Sequence, residues 1–521
     1  MITVLNRPTT PRPTASTERF GAAVIPQPRP EVAYFNPRPM ATGLPKPTKP
    51  TATNQWPISQ QPYYQVNIPA LRIQQQGPVM AGRLSNGVKA YMTPLHFVNR
   101  SAVSLKIPIG EVKPGTEALL LGLLSSGSEQ TQALAEHIST RGMHLMFAVS
   151  DDQLIVSGSS PVGREAELLD HIFQLLLNPK VDEFTVNHLK EQYLQNKKSL
   201  LNDPDVCLNR RLLQEVYGKK HRYSISLHQQ MKRIKNTSVD KLMRQFSTGL
   251  QSLSGLSVAM VSPYAASDQY SLLNNAIASA EKKYQWFPKN AVVASKTKLP
   301  EKKSEQPLVV QVNNTLKSAL VKMQWTVPDC SDPDYPAFFL LSDILEGTSP
   351  ASFFSTLRTR DGLVYSVSSH SGSPIGGRKK LYEVGLEVSP EKIQHSILDL
   401  REVTKKLCSL PIAPDVLQLS KRKFLLDIRD ATQRSGTVLQ FQNSWLKNNC
   451  TPVDLNRFLL QINAVTPQDI MRVANRIFNT ESGAAYVITG VSAPQQAFSK
   501  ENLPDDFKRT FTVIKTFSNK Q

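Results

Sequence analysis

A chain of 521 residues has room for two to four domains, and none of its apolar runs approaches the ~20 residues a membrane-crossing helix needs. The formal net charge of +19 raises nucleic-acid binding, yet the basic residues are scattered (Lys197–Lys198, Lys219–Arg222, Lys232–Lys235, Lys302–Lys303, Arg378–Lys380) without a Cys/His finger, an RNP-like strand or a basic heptad helix. No nucleic acid is therefore expected as a partner, and the charge fits a solvated basic face, an acidic partner, an anionic membrane surface or an acidic peptide.

Residues 1–78 hold fifteen of the 37 prolines among Thr, Gln and Arg, a composition that cannot bury a core and predicts a disordered extension. No secretory signal is readable there. The compartment stays unknown, with periplasm or organelle open if a targeting segment is atypical or was removed. Order is expected from Met80. Arg83–Met92 reads as a hairpin around the Asn86-Gly87 turn, and Val103–Ile109 as a half-buried strand. Helices follow at Ala118–Leu124 and at Gln132–Arg141, the latter stopped by Gly142. Two strands in Leu145–Gly158 turn at Asp151-Asp152. Helices at Gly163–Leu177, Asp182–Leu201, after Pro204 through Val216, and at Ser238–Phe246 precede a strand at Leu256–Val261.

The scheme then repeats. Strands are expected at Pro307–Val312, Ser318–Trp325, Leu363–Ser369, Tyr382–Val388 and Ala484–Ile488. Helices are expected at Tyr335–Leu345, Ser352–Arg360, Pro390–Leu407, Ala413–Asp430, Pro452–Asn463 and Thr466–Phe478. Two such copies make an internal repeat of about 220 residues. The lysine-rich Val292–Gln306 is the seam. The four cysteines, Cys207, Cys330, Cys408 and Cys450, are far apart in sequence and read as buried free thiols rather than a disulfide framework.

Ser352–Val367, SFFSTLRTRDGLVYSV, places Arg358 and Tyr365 seven residues apart around Gly362 and Leu363. With LSNGVKAY near Arg83, LNPKVDEF at Leu177–Phe184 and the Asp332–Tyr335 segment, it resembles the pitrilysin/insulinase-type zinc metallopeptidases from about Arg83 to Gly490. The resemblance implies an α+β protein of two homologous halves, each an antiparallel sheet with helices packed on it. It implies that Arg358 and Tyr365 hold a substrate peptide over a zinc ion. It also implies an N-terminal half with an inverted H-x-x-E-H motif. In the matching TEALLLGLLSSGS, Thr116–Ser128, that register puts Ala118 and Gly122 at the histidine positions and Leu121 at the general base. The distal ligand falls on Gln195 or Asn196, with Glu191 nearby read as a surface acid. None of these can replace two imidazoles and a carboxylate. His137 with His144, His171 with His188, and His221 with His228 read as ordinary surface or core histidines.

The expected organisation is a Pro-rich extension (1–78), a peptidase-like domain without the zinc motif (79–291), a linker (292–306) and a peptidase-like domain with the Arg/Tyr clamp (307–521). The chain itself is expected to be no enzyme and to hold no cofactor. Its expected role is the non-catalytic subunit of a heteromeric zinc peptidase, as in two-chain members such as mitochondrial processing peptidase. The partner would be an H-x-x-E-H chain carrying the zinc, and the substrate a peptide. Leu345–Ala351, LEGTSPA, departs from that pattern, because the non-catalytic subunit of that peptidase has a glycine-rich loop there. A structural scaffold in a larger complex is the alternative.

Overall fold

The computed structural model describes residues 77–514, apart from 110–114, 151–152, 218–223, 254, 290–307, 313–315, 348–351, 361–363, 373–379, 448–449, 453–454, 480–486 and 495–510. The Pro-rich extension, save its last two residues, and the expected linker lie outside them.

The expected two-half α+β fold is borne out. The first sheet comprises β1 (Met80–Arg83), β2 (Lys89–Pro94), β3 (Arg100–Pro108), β4 (His144–Ser150), β5 (Gln153–Pro161) and β6 (Ser257–Ser262), in the order β1-β2-β6-β3-β5-β4. The second comprises β7 (Leu308–Val312), β8 (Ala319–Val327), β9 (Val364–Gly372), β10 (Lys380–Val388), β11 (Val487–Ala493) and β12 (Phe511–Ile514), in the order β12-β7-β11-β8-β10-β9. Five strands correspond in order and direction. β2–β6 and β7–β11 are the parallel pairs, and β3, β5 and β4 follow antiparallel as β8, β10 and β9 do. The sixth strand breaks the repeat, since β1 runs antiparallel to β2 while β12 runs parallel to β7. In the β1–β2 hairpin Arg83 pairs with Lys89, and Gly87 takes a φ of 87° that a side chain would strain.

Helices of the first half are α1 (Glu117–Ser126), α2 (Glu129–Thr140), α3 (Glu165–Leu177), α4 (Glu183–Ser199), α5 (Pro204–Tyr217), α6 (Leu227–Asn236), α7 (Val239–Leu250) and α8 (Ala266–Tyr284). Those of the second are α9 (Tyr335–Glu346), a π-helical turn at Ser355–Arg360, α10 (Ile393–Ser409), α11 (Pro414–Ala431), α12 (Ser435–Lys447), α13 (Leu455–Ala464) and α14 (Pro467–Phe478). Local chemistry explains the clearest of them. α14 starts at a capping box, Thr466 with Asp469, has Pro467 in its first turn, and buries Ile470, Val473, Ala474, Ile477 and Phe478 along one stripe. Helices α6, α8 and α12 have no counterpart in the elements expected from sequence.

The halves are joined by a reciprocal exchange of helices. α5 of the first half packs on β7 and β11 of the second sheet, where Asn209 accepts a hydrogen bond from Gln324 Nε2 at 3.2 Å. Asp205 of the same helix meets Lys322 at 3.0 Å, and Lys322 reaches Glu383 at 2.8 Å in a buried pair. In return α12 packs on β3 and β6, with Asn443 bonded to Ser104 at 2.7 Å and to Ser157 at 3.1 Å. Gln442 donates to Thr93 Oγ1 at 2.7 Å. One hydrophobic cluster accordingly runs from Leu95, Ala102 and Val261 into the Trp325–Tyr382–Phe458 core of the second half.

The cysteines correct the sequence expectation. Cys330 and Cys450 form a disulfide across 120 residues, with Cα atoms 6.4 Å apart, and only Cys207 and Cys408 remain free thiols. Distance along the chain misleads here, because the loop before α9 and the segment after α12 meet in the fold.

Candidate functional site

α1 is apolar almost throughout, with Leu119, Leu120, Leu123 and Leu124 in the core. Its remaining face turns to α4, whose start is fixed by Asp182 accepting from Thr185 N at 2.7 Å. Where the resemblance asks for metal ligands, α1 offers Ala118, Leu121 and Gly122. The buried Gly122 lets α4 approach closely: a Cβ there would lie 2.8 Å from the Tyr193 hydroxyl and 3.2 Å from Leu189 Cδ2. Burial pushes the Tyr193 phenol above its ordinary pKa, so it stays neutral. Lys197, a turn beyond Tyr193, has its pKa lowered by burial and by the Arg210 charge, opposed by Glu117 at the start of α1.

The residues present do not fit zinc. A phenol, a leucine and an ammonium occupy the face that should complete a histidine–carboxylate set. Gln195 and Asn196, the expected distal positions, are exposed, as is Glu191. The α4 residues nearest Gly122 are Leu189 and Tyr193, not the expected Gln195 or Asn196.

The expected clamp residues lie on two backbone irregularities. Arg358 belongs to the π-helical turn Ser355–Arg360, a rare geometry that is frequent at functional sites. That turn is pinned by the buried Phe353 and Leu357 and by Ser352 Oγ, which accepts from Ser355 N at 3.1 Å. Tyr365 is the extra residue of a β-bulge: Ser366 pairs with Glu387 and Val364 with Val388, leaving Tyr365 between them. Among the described residues β9 is an edge strand, bonded only to β10. The side chains of Arg358 and Tyr365 and the Asp361-Gly362 turn lie outside the described residues.

One constellation escaped the sequence reading. By sequence, His137 at the end of α2 pairs with His144 and His171 on α3 with His188. The fold instead packs the His137 and His171 rings edge to face, centroids 5.4 Å apart, with Glu167 between them. The Glu167–His171 spacing of four on one helix was the available signal.

Residues 258–424 match the family model of the peptidase M16 inactive domain. Among curated proteins none matches the sequence. Among solved structures, the chain resembles a peptidase M16 inactive domain from Pseudomonas fluorescens, with a TM-score of 0.68 and 17% identity over 80% of this chain and 98% of that one. A protease from Helicobacter pylori gives 0.67 and 18%, covering 80% and 100% of the two chains. The periplasmic protease PqqL from Escherichia coli gives 0.62 and 13%, covering 84% of this chain and 49% of its own.

Proposed function

With a peptidase M16-like fold as the premise, we propose that this chain is the non-catalytic subunit of a heteromeric zinc peptidase. Its second half would lend Arg358 and Tyr365 to a partner that carries zinc on an H-x-x-E-H helix. The observation that carries this reading is the pairing of Gly122 with Tyr193. The α1 face on which the resemblance asks for ligands packs against Leu189 and Tyr193 of α4, while five strands of each sheet correspond in order and direction.

What the second half retains fits peptide binding. An edge strand presents unpaired backbone groups to which an extended peptide can add, and the bulge at Tyr365 sits at its start. A guanidinium and a phenol beside it would hold the scissile carbonyl and donate to the oxyanion that forms as the partner's water attacks. The positive net charge of +19 favours an acidic peptide or an acidic partner surface. The Cys330–Cys450 disulfide supports an oxidising compartment for this role. Among the described residues no helix is long and apolar enough to cross a membrane.

Co-expression with an H-x-x-E-H chain of similar size tests the proposal. The expected result is a stable complex whose peptidase activity exceeds that of either chain alone. A complex equally active without this chain, or no complex with any such chain, leaves the scaffold role in its place.

A further inference from the structure

We infer that His137, Glu167 and His171 form a divalent transition-metal site that clips α2 to α3. It lies on a different helix pair from the lost zinc motif and is independent of the subunit role proposed above.

Three ligand atoms, one from each residue, lie within 4.8 Å of one another. Glu167 Oε1 is 3.9 Å from His137 Nε2 and 3.8 Å from His171 Nε2, too long for hydrogen bonds. Around a tetrahedral zinc with bonds of about 2.0–2.1 Å, neighbouring ligand atoms stand about 3.3 Å apart. Small rotations of three side chains close that gap. Glu167 and His171 are i and i+4 on α3 and project to one side, and His137 faces them from the last turn of α2.

An independent observation points to a ligand. Both ring nitrogens of His171 are buried, and neither has a hydrogen-bond partner. A buried imidazole without partners is costly, and a metal on Nε2 would satisfy one of them. Arg141 Nε also stands 3.4 Å from Glu167 Oε1, the oxygen that faces both imidazoles, so a bound metal would share or displace that contact. The His137 side chain is 47% exposed, so the site opens to solvent and water can fill the fourth position. Two imidazoles and a carboxylate suit Zn²⁺, Co²⁺ or Ni²⁺ and are too rich in nitrogen for Ca²⁺ or Mg²⁺.

The test is titration of the untagged, metal-stripped full chain with Zn²⁺ by calorimetry and with Co²⁺ by visible absorption. Expected are one site per chain, cobalt bands of a low-coordinate nitrogen–oxygen site, and a rise in Tm with zinc. His137→Ala and Glu167→Gln should each weaken binding about tenfold or more, with unchanged circular dichroism, while His144→Ala keeps full affinity. No saturable binding, or equal binding by wild type and the His137→Ala and Glu167→Gln variants, overturns the site. The subunit proposal is read separately, because those variants should leave the activity of a reconstituted peptidase pair untouched.

Discussion

Gly122 and Tyr193 occupy complementary space: the α1 backbone is bare where the α4 phenol comes in, so that a single methyl on Gly122 would stand 2.8 Å from the hydroxyl oxygen. Gly122→Ala should destabilise the first half by about 1–3 kcal/mol through overpacking. Thermal unfolding would show most of that loss recovered in the Gly122→Ala/Tyr193→Phe double variant. Equal losses in both backgrounds would mean that the hydroxyl is not what Gly122 accommodates. For the same reason, installing Ala118→His, Leu121→Glu and Gly122→His together should gain no zinc at α1 while Tyr193 remains. That outcome is best read in a His137→Ala background.

The disulfide and the free thiols should separate cleanly. Cys330→Ser should cost about 2–5 kcal/mol, as loss of a native cross-link over a long loop does, and reductant should bring the wild type down to the variant's Tm. Burial pushes the Cys408 thiol up to about 11, and its Sγ donates to Ala474 O at 3.5 Å. At pH 8 such a thiol is about one-thousandth thiolate, so iodoacetamide should modify Cys408 only after denaturation. Rapid labelling of Cys408 in the native chain would contradict its burial.

Much of the fold is legible in the sequence because its elements bury apolar stripes. α3 follows from its apolar spacing, and α14 from spacing together with its capping box. Among the helices left unread, α12 has its partners in the other half. α12 buries Gln442 and Asn443 against Thr93, Ser104 and Ser157 of the other half, so polar residues interrupt its buried stripe of Val438, Leu439 and Leu446 and weaken the apolar period. The candidate sites divide the same way. Arg358 and Tyr365 stand seven apart in sequence and could be proposed together. His137 and His171 are 34 residues apart on separate helices, and only the packing of α2 on α3 shows that they meet.

Acid should loosen the junction between α14 and the loop before α9. Arg476 bonds Asp332 at 2.6 Å and Asp334 at 2.9 Å, and the Arg476 hydrogen bond is the main reason the Asp332 carboxyl is held below its usual range. A carboxyl depressed in the folded state adds stability that is complete above its unfolded pKa of about 3.9. That stability fades as pH falls through the lower folded value. Unfolding midpoints from pH 6 to pH 2 should fall below pH 4, and Arg476→Gln should start lower and fall less steeply. Parallel curves for the two proteins would show that this ion pair contributes nothing to the acid limb.

The clamp distinguishes a working subunit from a scaffold. If Arg358 and Tyr365 complete the partner's site, Arg358→Ala and Tyr365→Phe should each slow the reconstituted pair while leaving assembly and the partner's zinc unchanged. Loss of one preorganised oxyanion donor costs about 2.7–4 kcal/mol, a hundredfold or more in kcat. Loss of a grip on the ground-state carbonyl would instead raise KM with kcat held. Arg360 ends the same π-helical turn. Arg360→Ala is therefore the control for damage to the turn itself and should change rates little. The bulge offers a second control. Deleting Tyr365 would remove the extra residue and pair β9 with β10 in regular register, so it should abolish the effect of the phenol without unfolding the sheet. Full activity in both clamp variants would reduce Arg358 to a cation in a helical turn and Tyr365 to a strand aromatic, and the chain to a scaffold.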